Sequence, residues 1–267
     1  MVTSNFAPIS LAELNAKAEM LTRLDNKYIV SQSTLAKIAP NLAEHFDVLE
    51  IDGKREFGYQ TCYFDSPTMC SFRHHVQGRR RRSKVRTRHY LDAGLCFVEV
   101  KLKTIRKVTV KKRLFHDAQF LDQLTSPAMQ FVEDCHTGQY ERPSLAPYAP
   151  VMNMRYQRIT LVAHDGAERL TIDHDLRFWN GDKETATAPD MFVIETKSGF
   201  GRGVGDRILR RNGYHPTGSC SKYCIGLAAL EIVPRFNKFL PAFKRLLPHL
   251  AIDQTPLTNE IVFASSA

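Results

Sequence analysis

Basic side chains crowd residues 79–113, and their number and spacing indicate the chemistry to expect. This stretch holds fourteen lysines and arginines but only two acids, Asp92 and Glu99, which gives it a formal charge of +12. The 267-residue chain has a net charge of +9, so all its other residues together sum to −3. Such self-repulsion destabilises a compact protein unless an anion relieves it. The block therefore predicts a polyanionic substrate or partner, although Arg79–Arg82 alone would also suit a solvated basic loop.

The basic residues of this block alternate with apolar ones at the spacing of a β-strand. In Lys84–Tyr90, the side chains of Lys84, Arg86 and Arg88 share one parity and therefore one face of a strand. Six other segments alternate in the same way: 24–30, 97–103, 107–113, 158–161, 169–173 and 192–197. An ordinary antiparallel sheet with one wet face would also alternate. Here, however, the polar face is consistently lysine and arginine with an occasional carboxylate, which favours an enclosed cationic surface.

These strands predict an α+β fold: a closed antiparallel β-barrel tunnel of about eight strands, with a polar, cationic interior and helices packed outside. A barrel of that size leaves room inside for side chains and one slender ligand. The helices are predicted at 10–21, where Ser10 and Glu13 have capping-box spacing before Leu14, Ala18 and Leu21, then after Ser33, and over 116–140, 203–212 and 221–247.

The same sequence excludes several classes of protein. The longest apolar run, Cys224–Leu230, is far shorter than the ~20 residues of a membrane-spanning helix. Residues 1–10 lack the basic start and apolar stretch of a secretory signal, which predicts a cytoplasmic protein. The six cysteines form no CxxC pair, so we expect buried thiols instead of a zinc site. Without a linker or an internal repeat, we expect one domain over 1–267, with its core at about 20–232 and a C-terminal amphipathic helix and tail at 233–267.

Nine short motifs follow one another along the chain. They are Asp25-Asn-Lys27-Tyr28, Tyr63-Phe-Asp65, Lys84-Val-Arg86-Thr-Arg88-His-Tyr90, Phe97-Val-Glu99-Val-Lys101, Val110-Lys111-Lys-Arg113, Tyr156-Gln-Arg158, Arg169-Leu-Thr-Ile-Asp173, Val193-Ile-Glu195-Thr-Lys197 and Ser221-Lys222-Tyr223-Cys-Ile-Gly226. Together, over residues 23–230, they resemble the vacuolar transporter chaperone (VTC) domain of the triphosphate tunnel metalloenzymes. The resemblance implies a β-barrel tunnel that, in eukaryotic members, polymerises polyphosphate from ATP with a divalent metal and releases ADP.

The resemblance also implies roles for single residues. The tunnel-lining phosphate ligands would be Lys27, Arg86, Arg88, Lys101, Lys111, Arg158, Arg169 and Lys222, and we add Lys103, Arg113 and Lys197 because they share the charged parity. The expected catalytic subset is Lys27, Arg86, Arg88, Lys101, Arg158 and Lys222. Glu195 resembles the carboxylate that binds Mg²⁺ or Mn²⁺. Glu99 and Asp173 are second candidates for that metal, and ion pairs that orient a neighbouring cation are the other interpretation of both.

The residues and the resemblance together predict an enzyme, a metal-dependent phosphotransferase that binds ATP and polyphosphate and forms polyphosphate with release of ADP. The first motif replaces the Glu-x-Glu-x-Lys signature of the CYTH branch with Asp25-Asn-Lys27, which favours the polymerase-like branch. One alternative is a tripolyphosphate or nucleoside-triphosphate hydrolase of the same superfamily.

Another alternative is a non-catalytic module that binds polyphosphate or RNA. Specific nucleic-acid binding is not expected, since only Tyr90 offers a stacking platform near the basic stretch. The C-terminal segment 235–250 is both basic and amphipathic, so we expect it to pack on the barrel. Peripheral contact of this segment with a membrane is its alternative use.

Overall fold

The computed structural model describes residues 3–17, 24–105 and 109–250, in which strands and helices are interspersed. The strands are β1 (Pro8–Ile9), β2 (Leu24–Ser31), β3 (Phe46–Leu49), β4 (Phe57–Asp65), β5 (Arg82–Tyr90), β6 (Leu95–Lys103), β7 (Thr109–His116), β8 (Ala149–Ala163), β9 (Glu168–Asn180), β10 (Lys183–Ala186) and β11 (Met191–Ser198). The helices are α1 (Leu11–Lys17), α2 (Gln32–Ala43), α3 (Cys70–Val76), α4 (Ser126–Tyr140), α5 (Val204–Arg211), α6 (Lys222–Ala229) and α7 (Leu240–Leu246), with 3₁₀ turns at Ala118–Phe120 and Asn237–Phe239.

The strands within the described residues form one eleven-stranded sheet. Eight of them follow the path β2-β11-β9-β8-β4-β5-β6-β7, and every neighbouring pair on this path is antiparallel. Strands β3 and β10 extend the sheet beside β8 and β9, and β1 pairs in parallel with β3. The predicted α+β fold built on about eight antiparallel strands is confirmed.

The ends of this path are β2 and β7, and in the described part of the chain no backbone pairing joins them. Strand β7 carries Lys111, Lys112 and Arg113 in succession, and charged side chains of this kind discourage further pairing at a sheet edge. The hydrogen-bonded closure expected of a barrel is therefore absent from the described pairings. Side chains of β6 and β11, which are not neighbours on this path, nevertheless interact electrostatically, as Lys101 and Glu195 do.

Apolar side chains of the outer sheet face form cores beneath three of the helices. Helices α2 and α5 cover a cluster that includes Tyr28, Leu161 and Ile172, whereas α4 covers Val98 and Val100. Fully burying a side chain of this size stabilises the fold by about 1.5–3 kcal/mol. The apolar parity of the strands therefore holds the sheet to its helices, as predicted, and leaves the opposite parity for charge.

Helices α6 and α7 lie on the other face of the sheet, which differs from the predicted outer coat. They pack against Ile29 and Val193, which share strand parity with Lys27 and Glu195. Helix α6 is apolar around its whole circumference, with Tyr223–Ala228 buried, so it needs burial on every side. As a result, apolar side chains of α6 and α7 lie next to the charged residues on this face of the sheet.

The C-terminal segment 221–247 is mostly helical, as predicted, but it is divided into α6, a 3₁₀ turn and α7. The chain leaves α6 at Glu231, which has a left-handed φ of 57°, and Pro234 cannot continue a helix. The apolar side chains of Phe243 and Leu246 on α7 are buried in the same cluster as α6. Packing is therefore the use that the structure shows for this segment, and membrane contact through 235–250 stays a prediction.

The other helix predictions are confirmed with shifted boundaries. Ser10 and Glu13 form the expected capping box, while Ala18 and Leu21 lie outside the described residues. Helix α2 is capped by Ser31 instead of Ser33. Only 126–140 of the predicted stretch 116–140 is α-helical, and α5 matches the expected 203–212 to within one residue at each end.

Two predicted exclusions concern cysteines and membranes. All six cysteines are free, and four of them, Cys62, Cys96, Cys135 and Cys224, are buried as expected, whereas Cys70 and Cys220 are half-buried. Among the described helices, none is both long and apolar enough to cross a membrane. The single domain over 1–267 remains a prediction, and the end of its tail, 251–267, lies outside the described residues.

Candidate active site

The predicted site residues lie on the strands of the eight-strand path and at the start of α6. They are Lys27 on β2, Arg86 and Arg88 on β5, Lys101 and Lys103 on β6, Lys111 and Arg113 on β7, Arg158 on β8, Arg169 on β9, Glu195 and Lys197 on β11, and Lys222 on α6. Ser221 caps α6 by accepting a hydrogen bond from the Cys224 amide, and this cap fixes Lys222 as the first helical residue. Three carboxylates organise most of these cations.

Glu99 is the centre of the first group and is fully buried. Its Oε2 accepts a hydrogen bond from Arg86 Nε at 2.7 Å and lies 3.8 Å from Arg88 Nη1, while its Oε1 pairs with Lys111. The sheet register sets this contact by placing Glu99 directly across from Arg86. Burial alone would raise the pKa of Glu99, but the surrounding cations outweigh it and hold that pKa well below its ordinary value. Glu99 is therefore ionised and bound to three cations.

Asp173 organises a second group in the same way. It is fully buried. Arg158 donates two hydrogen bonds to its carboxylate, from Nε to Oδ1 at 2.5 Å and from Nη2 to Oδ2 at 2.8 Å. Lys222 Nζ donates to the same Oδ2 at 2.6 Å, which ties the start of α6 to strand β9. Burial would raise the pKa of Asp173, but these two cations lower it below its ordinary value.

Glu195 forms the third group, with a lysine on either side. Its carboxylate oxygens lie 3.2 Å from Lys27 Nζ and 3.2 Å from Lys197 Nζ, and Lys27 is its register partner across β2 and β11. Burial opposes its charge, but the neighbouring lysines hold the pKa of Glu195 well below the usual range. Burial by itself would lower the pKa of Lys27, but Glu195 and Asp25, together with weaker contributions, outweigh burial and raise that pKa.

Two cations connect the three groups into one site. Lys101 interacts with Glu99 of its own strand and with Glu195 on β11, and repulsion from Arg86 together with burial puts its pKa well below the ordinary value. Arg88, which is buried, interacts with Arg86, Glu99 and Arg158. The Nε of Arg88 makes no hydrogen bond within the described part of the chain. Cations that are held this close to one another favour a polyanion.

Three other predicted residues lie beside these groups on the same strands or directly across from them. Lys103 follows Lys101 on β6 and donates to Thr109 Oγ1 at 3.1 Å, and the exposed Arg113 lies with its guanidinium 5.0 Å from the ring centre of Phe97. Arg169 is half-buried on β9 across from Lys197. Arg79–Arg81 are exposed, which fits the solvated loop that the sequence allowed.

The sequence did not identify the tyrosines of the site. Tyr63 accepts a hydrogen bond from Arg86 Nη1 at 3.1 Å, and Tyr156 lies beneath Arg158 and Lys222, at 5.3 and 5.6 Å from its ring centre. Tyr223 carries Lys84 above its ring at 5.5 Å. These tyrosines belong to the nine motifs, so the sequence did contain a signal for them. Nothing in the spacing, however, distinguished a ring that lies beneath a cation from an ordinary core ring.

The side chains of the site could hold a divalent metal ion only together with phosphate. Within the described residues there is no group of three histidine, cysteine or acidic side chains that could hold an ion alone. Glu99 and Asp173 are bound to cations, which favours the ion-pair interpretation of both. Glu195 is ionised and partly accessible, and Mg²⁺ is commonly held by one carboxylate together with substrate phosphates and water. The residues present thus fit a metal ion that arrives with phosphate.

The pH dependence of phosphate affinity is a first prediction of this geometry. Burial lowers the pKa of Lys111 to about 8, with help from Arg86 and against the attraction of Glu99. A bound phosphate favours the charged lysine, so affinity for inorganic tripolyphosphate should fall as the pH rises through about 8. Calorimetric titration of the wild type and of Lys111→Met, at several pH values, isolates this contribution from the titration of the phosphate itself. A difference between the two proteins that stays constant with pH would contradict it.

A family model and several solved structures match this chain. The family model described as the VTC domain matches residues 22–231. Among solved structures, a candidate adenylate cyclase of Bacillus halodurans has a TM-score of 0.50 at 12% identity, covering 75% of this chain and 95% of that one. A candidate adenylyl cyclase of Hippeastrum, described as having a dominant triphosphatase activity, has a TM-score of 0.49 at 14% identity over 78% and 96% of the two chains. The comparison with curated proteins gives no match.

Proposed function

The chain belongs to the VTC domain family, and from this premise we propose that it is a phosphotransferase that lengthens polyphosphate with the terminal phosphoryl group of ATP and releases ADP. The observation that carries this proposal is the set of cations from β2, β5, β6, β7, β8, β11 and α6 around three ionised carboxylates. Phosphoryl transfer needs little covalent help from a protein; it needs aligned phosphates and compensation of developing charge.

The individual cations suit different parts of this task. Arg86, Arg88 and Arg158 can each offer a planar pair of donors to a phosphate, whereas Lys27, Lys101 and Lys222 act as point charges. In the unliganded protein most of them are held by carboxylates, which keep them ionised and in place. A phosphate chain would then exchange carboxylate contacts for phosphate contacts with little reorganisation, which is how preorganised sites stabilise transferring charge.

In the proposed reaction, a terminal oxygen of polyphosphate attacks the γ-phosphorus of ATP. A new P–O bond forms there as the bond to the β-phosphate oxygen breaks, and ADP leaves with that electron pair. The attacking oxygen is already an anion, so no general base is required. Mg²⁺ or Mn²⁺ held by Glu195 would supply charge neutralisation on the phosphate oxygens. The residues that would position the phosphates are the cations around Glu99 and Asp173.

Hydrolysis is the second candidate, since it needs the same phosphate ligands. It would also need a water positioned by a carboxylate acting as base. All three carboxylates of the site have pKa values below their ordinary ones and are bound to cations, so each is a weak base. This observation favours transfer to a phosphate chain over transfer to water.

The test is to incubate the purified protein with ATP, Mn²⁺ and a short polyphosphate primer, and to resolve polyphosphate, ADP and free phosphate. We expect polyphosphate to lengthen in step with the release of ADP. Release of free phosphate without lengthening would assign the hydrolase instead. Binding of polyphosphate or RNA without turnover, with either metal, would reduce the site to a polyanion-binding module.

A further inference from the structure

Five aromatic rings lie side by side across the strands next to the cations of the site. This aromatic row consists of Tyr156 on β8, Tyr59 on β4, Tyr90 on β5, Phe97 on β6 and Phe115 on β7. Successive ring centres are 5.2, 5.0, 6.0 and 6.0 Å apart, beginning with the stacked pair of tyrosines. The strand register produces the row, because Tyr59 lies across from both Tyr156 and Tyr90, and Phe97 lies across from Phe115.

The row runs from the buried site to the surface of the protein. Tyr156 is 1% exposed and lies beneath Arg158, whereas Phe115 at the other end is 66% exposed. The rings between them are half-buried. A large aromatic side chain left exposed beside a charged site, and continuous with it, is typical of a binding surface.

Arginines lie over two of the rings inside the row. Arg158 lies 5.1 Å from the ring centre of Tyr59, Arg88 lies 5.6 Å from the same ring, and Arg113 lies 5.0 Å from that of Phe97. Two buried polar atoms at the inner end, Arg88 Nε and the hydroxyl of Tyr156, have no hydrogen-bond partner within the described residues. Buried polar groups in proteins are normally paired, so both atoms are available to bind a ligand at this end of the row.

We propose that the aromatic row binds the base of the nucleoside triphosphate, with the phosphates extending inward to Arg88, Arg86 and Arg158. The inference rests on the proposed function and adds where the base of its nucleotide donor binds. A planar base is the occupant that matches rings and guanidinium groups together, since bases stack on aromatic side chains and on arginine. A purely apolar partner would gain nothing from the three arginines.

The proposal also makes a statement about specificity. The row offers ring faces, and every nucleobase has a π-face on which such rings can stack. We therefore expect ATP and GTP to bind with similar affinity, and both to bind more tightly than inorganic tripolyphosphate. The phosphate ligands would be shared by all three molecules, because they lie on the inner side of the row.

The test uses variants that remove a ring at the accessible end of the row. Phe115→Leu and Phe97→Leu keep apolar bulk, and Phe200→Leu is the matched control, since Phe200 is 90% exposed in the loop after β11. Calorimetric titrations with ATP and with inorganic tripolyphosphate are compared. We expect each row variant to weaken ATP binding by at least about fivefold while tripolyphosphate binding is unchanged. The control should change neither affinity.

The outcomes separate this proposal from the proposed function. If wild-type protein binds tripolyphosphate and ATP equally well and the row variants change neither, the row is not a base site, although the phosphate site stands. If the variants weaken both ligands equally, the rings only support the sheet, and the proposal is also overturned. If wild-type protein binds neither ligand, the proposed function itself fails.

Discussion

Replacing Glu99 with glutamine is expected to lower the free energy of unfolding by about 3–5 kcal/mol, because it leaves buried cations without their counter-charge. Glu99 is fully buried and contacts Arg86, Arg88 and Lys111, and both of those arginines are less than one-tenth exposed. Because glutamine has nearly the same volume as glutamate, this variant tests the loss of charge without a loss of packing. Urea unfolding followed by circular dichroism measures the change.

Inorganic tripolyphosphate should partly restore the stability of Glu99→Gln, since it supplies the missing negative charge. We expect the ligand to raise the melting temperature of this variant more than that of the wild type. Glu231→Gln is the matched control, because Glu231 forms an exposed ion pair with Lys183 and such pairs contribute about 0–1 kcal/mol. A Glu99 variant as stable as this control would show that Glu99 does not compensate the buried arginines.

Replacing Glu195 with glutamine is expected to reduce metal-dependent turnover by at least about 100-fold, because the lost carboxylate is the one that fits a metal ion arriving with phosphate. Its neighbours Lys27 and Lys197 remain to bind phosphate. We therefore expect affinity for inorganic tripolyphosphate without added metal to be retained or increased. Steady-state assays with ATP and Mn²⁺, paired with metal-free titrations, measure both quantities.

The control for this variant is Glu184→Gln, which removes an exposed glutamate paired with Arg177 on the same sheet. It should leave turnover unchanged. Turnover of Glu195→Gln at the wild-type rate would remove Glu195 from any role with metal. Loss of tripolyphosphate affinity without added metal would instead mean that Glu195 orders the two lysines, and that its effect on turnover is indirect.

Strand parity predicted the placement of the charged residues well. Alternation in 84–90 and 192–197 put Arg86, Arg88 and Glu195 on one face, and the sheet register brings those faces together. Parity works here because a side chain in a strand has only two faces to choose from. It cannot distinguish a phosphate ligand from a counter-ion, so the pairing of Asp173 with Arg158 and Lys222 became clear only from the structure.

The features that the sequence missed depend on contacts between distant segments. The aromatic row draws single rings from five strands, and only their register makes them neighbours, so the local sequence showed Tyr90 alone. Helix α6 lies on the charged face because its own surface is apolar all round, whereas the sequence predicted helices only outside the barrel. The local sequence pattern predicted the strands and helices, whereas tertiary packing determines which face of the sheet each helix covers.

A crystal structure of the protein with inorganic tripolyphosphate would test the proposed phosphate site most directly. We expect one phosphate chain between two sets of cations, contacted by Arg86 and Arg88 of β5 on one side and by Arg158 and Lys222 on the other. The carboxylates of Glu99 and Asp173 should give up part of their contacts with these cations. Phosphate bound instead on the exposed arginines at 79–81, with the ion pairs of the site unchanged, would contradict it.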